Sequence, residues 1–120
     1  MRYKLVDEEY EDIFVELGAI FISKCCRITV ENFLAFIYYD GQLPEHTIAQ
    51  LNFLAEVVEN LIGAYRRWDG SVQKWFRRRR KELGNLSAYQ IMRWPGVWKP
   101  EDKRARKILQ LAKGVNSEAT

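Results

Sequence analysis

Histidine is almost missing from this 120-residue chain, which has His46 alone, and cysteine is nearly as scarce, with Cys25 and Cys26 only. A structural zinc centre draws four ligands from Cys, His and clustered carboxylates, so no metal is expected here. The two cysteines are adjacent in sequence, a spacing that rarely meets the geometry of a disulfide. They read as small core or sub-surface thiols. There is no Gly-rich phosphate loop and no nucleophile with a base at a recognisable spacing. The carboxylate pairs Glu8/Glu9 and Asp7/Glu11 fall in the first turn of a helix, where the dipole accounts for them. The chain is therefore expected to be no enzyme and to need no cofactor. Long hydrophobic runs are absent as well. Ile13 to Ile22 and Phe33 to Tyr39 are too short or too interrupted to cross a bilayer. Met1 to Val6 leads straight into Asp7-Glu8-Glu9 without a signal-peptide core, so a cytoplasmic protein with no membrane partner is expected.

Apolar residues make up 48% of the sequence and aromatics 13%, enough for a folded interior. The net charge of +3 conceals a division of sign. Residues 1–60 hold four basic and eleven acidic side chains, and residues 61–120 hold fifteen and five. Either one half docks on the other, or the surplus on each meets a partner of opposite charge.

The punctuation predicts an all-α protein, a compact bundle of about six helices. Helix 1 is expected from Asp7 to about Lys24, capped by Asp7, with Tyr10, Ile13, Phe14, Leu17 and Phe21 inward. Thr29 caps a second helix, Val30 to Tyr39, stopped by Asp40-Gly41; its aromatic and β-branched composition would also suit a strand. After Pro44, Thr47 and Gln50 have the spacing of a capping box. Ile48, Leu51, Leu54, Ala55, Val58, Leu61, Ile62 and Tyr65 then fill a helical template towards Trp68. A fourth helix, Val72 to Leu83, is closed by Gly84. Ser87 and Gln90 make a second capping box for a short helix stopped by Pro95-Gly96. A last helix starts near Pro100 and ends at Lys113, before Gly114. Residues 1–46 read as an N-terminal half and 47–120 as a second helical half.

The loudest feature is Arg77-Arg78-Arg79-Arg80-Lys81. On a continuous helix, Lys74, Arg77, Arg78 and Lys81 form one cationic stripe, while Arg79 turns to the apolar side. The stripe is either a contact for nucleic-acid phosphates or an acidic protein, or a solvated face balancing the acidic half. Trp94 and Trp98 bracket a loop, where they either anchor a partner or plug the bundle. Glu16 to Tyr39 has the outline of a helix-turn-helix. Its second helix, however, has few of the polar or basic side chains that read bases.

From about Thr47 onward the order of features resembles the Xre/MbcA/ParS antitoxin family, over about 70 residues. The residues that carry the resemblance are Trp75-Phe76-Arg77, Leu83-Gly84-Asn85-Leu86-Ser87-Ala88, Gln90-Ile91-Met92, Ile108-Leu109 and Gly114-Val115. Asn85 stands where that family usually has a second glycine, Ala88 where it usually has proline, and Trp94 to Lys99 is an unusual connection for it. The resemblance implies an antitoxin that neutralises a RES-type toxin acting on NAD, commonly as a homodimer that binds DNA and represses its own operon. It further implies that the segment from Gly114 and Val115 through Asn116, Ser117 and Glu118 to Thr120 blocks the toxin; Trp94 and Trp98, read from their loop position as partner anchors, would add contacts. The alternative from the residues alone is a small nucleic-acid-binding regulator using Lys74, Arg77, Arg78 and Lys81.

Overall fold

The computed structural model describes residues 8–64, 70–93 and 98–119. Seven α-helices occur among them: α1 Glu8–Leu17, α2 Ala19–Cys26, α3 Val30–Tyr38, α4 Glu45–Ile62, α5 Ser71–Arg77, α6 Ala88–Arg93 and α7 Lys103–Ala119. A single 3-10 turn, Lys81–Leu83, lies between α5 and α6, and the described residues contain no strand beyond one isolated bridge, Arg80 to Leu86. The all-α reading stands. Asp7 and Tyr65 to Trp68 lie outside the described residues.

The expected first helix is two. Gly18 sits at φ 88° and ψ 153°, a region open only to glycine, and the chain bends there. The bend leaves the carbonyl of Leu17 without its helical donor, and the Gln73 amide of α5 donates to it at 2.7 Å. Beyond the bend, Phe21, Ile22, Cys25 and Cys26 are buried. Thr29 caps α3 as expected, its hydroxyl accepting from Asn32 N–H at 3.0 Å, and Gly41 N–H closes the far end on Ala35 at 3.2 Å. Phe33 and Ile37 of α3 are buried, and none of its nine residues is basic.

α4 is the centre of the molecule and packs chiefly against α1 and α7. Leu51, Leu54, Val57, Val58 and Leu61 are wholly enclosed, leaving Ala49, Asn52, Glu56 and Glu59 on the solvent strip. The expected Thr47–Gln50 capping box does not form. The helix begins earlier, on Pro44, whose carbonyl accepts from Thr47 and Ile48 at 3.0 and 3.1 Å. Thr47 and Gln50 therefore lie inside the helix and are buried. The Ser87–Gln90 box does form: Ser87 N–H donates to the Gln90 side chain at 2.8 Å, and Gln90 N–H to Ser87 Oγ at 3.0 Å. Both halves of the sequence contribute to one core, with Ile13, Leu17 and Ile22 in the same cluster as Leu54, Phe76, Met92 and Ile108.

Candidate functional site

The chemistry-bearing residues lie from α5 to α7. α5 starts after Gly70, held in the left-handed region at φ 84°, and buries Val72, Trp75 and Phe76. It stops at Arg77. Arg78 is extended at φ −76° and ψ 130°, and Arg80 at φ −134° and ψ 137°. Like charges three and four positions apart weaken a helix, and the arginine run with Lys74 and Lys81 gathers several such pairs, 74/77, 74/78, 77/80, 77/81 and 78/81. The extended course brings Arg80 back over the ring of Trp75, guanidinium carbon 4.5 Å from the centroid, and lets Arg80 N–H donate to Leu86 at 3.1 Å. The cationic stripe expected on this helix is thus divided. Lys74 and Arg77 belong to α5, whereas Arg78 and Lys81 follow its end. Arg79, expected to turn inward, is exposed, and Arg80 takes the packed position. Arg77 lies over Tyr89 at 4.8 Å and Phe21 at 5.5 Å, a cation covering two core rings.

The loop that follows is closed on itself. Leu83 and Asn85 N–H both donate to the carbonyl of Arg80, at 3.1 and 2.8 Å, and Gly84 N–H donates to Lys81 at 3.0 Å. Two successive residues are left-handed, Gly84 at φ 68° and Asn85 at φ 66°. Asparagine is among the few L-residues that enter this region readily, so it serves where a second glycine otherwise would. Ala88 is the first residue of α6, a place where proline's missing N–H costs nothing. These two departures from the pattern fall where the backbone accepts either residue; of the third, Trp94 to Lys99, residues 94–97 lie outside the described residues.

Trp98 is not a surface anchor. It is 7% exposed, its indole N–H donates to the carbonyl of Cys25 at 2.7 Å, and its own carbonyl accepts from Gln50 Nε2 at 2.7 Å. The edge of Phe53 meets its ring at 5.4 Å. This pin ties α2 and α4 to the approach to α7, which fits the plug reading. Trp94 lies outside the described residues, as do Pro95 and Gly96.

Gly114 does not end the last helix. α7 runs through it to Ala119, so Val115, Asn116, Ser117 and Glu118 continue the helix instead of forming a free polar tail. Val115 is half-buried against the core, and Gly114 is exposed. Ala105, Ile108 and Ala112 form the enclosed face of α7. The opposite face was not singled out by its sequence: Lys103, Arg106, Lys107, Gln110 and Lys113 are exposed, with Arg104 on its flank. Their three-and-four spacing and the absence of any acid from 103 to 117 were the available signal. A cavity of about 480 Å³ opens between this face and the 3-10 turn.

Cys25 and Cys26 are free and buried. Burial pushes both thiols well above the ordinary thiol range, Cys26 to about 12. For Cys25 burial is the larger cause and neighbouring Cys26 adds to it, with Arg93 and Arg77 opposing. Thiols held this firmly in the protonated form are poor nucleophiles. Among the described residues, no group of three or more His, Cys, Asp or Glu could hold a metal ion, and no helix is long and apolar enough to cross a membrane. No family model, curated protein or solved structure matches the chain.

Proposed function

We propose that this protein is an antitoxin-like binding module, without catalysis of its own, that neutralises a RES-type toxin. One observation carries the reading. The Trp75 helix, the Gly84-Asn85 left-handed pair and the Ser87–Gln90 capped helix follow in the order on which the resemblance rests. The two substituted positions are ones where asparagine and alanine meet the backbone's demand. The toxin-facing element is then the helical end of α7 from Gly114 onward, a preformed segment whose ordering cost is already met on folding. Homodimer formation and repression of its own operon belong to the same proposal. The test is co-expression with a RES-type toxin in a growth-rescue assay, with the cellular NAD pool as readout. Restored growth and a preserved NAD pool are expected. A toxin equally lethal with and without a soluble, helical form of this protein would overturn the reading.

A further inference from the structure

The face of α7 bordering the 3-10 turn carries four exposed cations within five positions, Lys103, Arg104, Arg106 and Lys107. Of the two carboxylates just before α7, Asp102 is occupied in accepting from the backbone of Lys99 at 2.9 Å. The cavity between this face and the turn has Glu82 as its single carboxylate among the described residues, against those four cations. Among the described residues none of the four cations makes an ion pair, so the excess charge of the C-terminal half is not absorbed there by the acidic half. Exposed Arg78, Arg79 and Lys81 lie on the segment entering the same turn. Gly84 lines the cavity wall, and the space where a Cβ would stand is open, so a bulky anionic chain can approach the backbone there.

We infer that this groove binds the phosphate backbone of duplex nucleic acid, independently of sequence. Lys103 to Lys113 spans ten positions, about 15 Å of helix at roughly 1.5 Å per residue. Each of the four cations from Lys103 to Lys107 can neutralise one phosphate, so about four phosphates are met. A protein partner would be expected to find apolar or aromatic anchors. Among the described residues, the exposed large hydrophobics Val15, Ile20 and Tyr39 all lie on other helices, α1 and α2 and the end of α3. Single strands call for exposed stacking platforms, but among the described residues of this region Trp75 and Tyr89 are enclosed beneath Arg80 and Arg77. What remains on the face is charge with helical spacing, which suits a duplex backbone.

The test uses the full chain and a 20-base-pair duplex of arbitrary sequence, with affinity measured across salt concentrations. Four phosphate contacts give a slope of about −3.6 in log K against log salt, at about 0.9 per contact. R106A/K107A should flatten that slope by about 1.8 with the helical signal intact. K24A/R27A removes the same charge from exposed positions at the end of α2 and should leave the slope unchanged. Absence of binding at low salt would overturn the inference. An equal response to both double variants would too, since net charge alone would then explain binding. Polyglutamate that binds as tightly as the duplex would instead assign the groove to an acidic protein. Because the toxin assay does not depend on this groove, failure here leaves the neutralisation reading standing, and the reverse holds as well.

Discussion

Asn85 stores a small strain that its neighbour Gly84 does not. A left-handed backbone costs an ordinary L-residue about 1–2 kcal/mol, and asparagine less because its amide can bond locally. Asn85→Ala should therefore lower stability by about 1 kcal/mol or more, while Asn85→Gly should be close to neutral. Urea midpoints of the two variants decide the matter; equal losses would mean that the side chain, not the backbone, matters there. The buried thiols give a second handle at this scale. Unfolded cysteine ionises near pH 8.5, whereas burial holds Cys26 protonated up to about 12 and pushes Cys25 up as well. The unfolded state thus releases protons first, and the stability these groups contribute is complete below about pH 8.5 and lost as pH rises above it. Each thiol can take away at most about 1.4 kcal/mol per pH unit in that window. Denaturation midpoints between pH 8 and 10.5 should fall more steeply for the native chain than for C25A/C26A, and parallel slopes would count against this account.

Helices were legible in the sequence wherever one apolar face met a clear stop, as with Thr29 before α3 and Ser87 with Gln90 at α6. Errors arose where tertiary contacts outvoted local chemistry. Thr47 and Gln50 have capping spacing, but Gln50 is needed inside to meet the carbonyl of Trp98. The arginine run looks helical by propensity, yet Arg80 leaves the helix, its guanidinium over Trp75 and its N–H donating to the carbonyl of Leu86. Gly18 sits unannounced within an amphipathic pattern, and only the docking of Gln73 onto Leu17 reveals the break. Gly114 is the converse case, a glycine that reads as a terminator and lies within α7. The two readings give opposite signs for Gly114→Ala. A left-handed cap would be strained by a Cβ. A glycine inside a helix, with open space around it, should instead gain about 0.5–1 kcal/mol on becoming alanine. A higher thermal midpoint is expected, and a lower one would restore the terminator.

Taken as a whole, the molecule has one core to which both sequence halves contribute and an exterior where the α7 face is cationic. The continuity of α7 also changes what a truncation can show. Val115 packs on the core, so a deletion beginning there would mix folding with recognition. Removing residues 116–120 keeps Val115 and ends the chain about one turn earlier. The helical signal should then fall slightly and the thermal midpoint change little, since the enclosed face at Ala105, Ile108 and Ala112 is untouched. If the end of α7 is what enters the toxin, rescue should weaken by tenfold or more, equivalent to about 1.4 kcal/mol of binding. Duplex binding through Lys103 to Lys107 should persist in the same protein, which serves as an internal check that the fold survives. A truncated chain that rescues as well as the full one, with its midpoint unchanged, would move the toxin contact away from the end of α7.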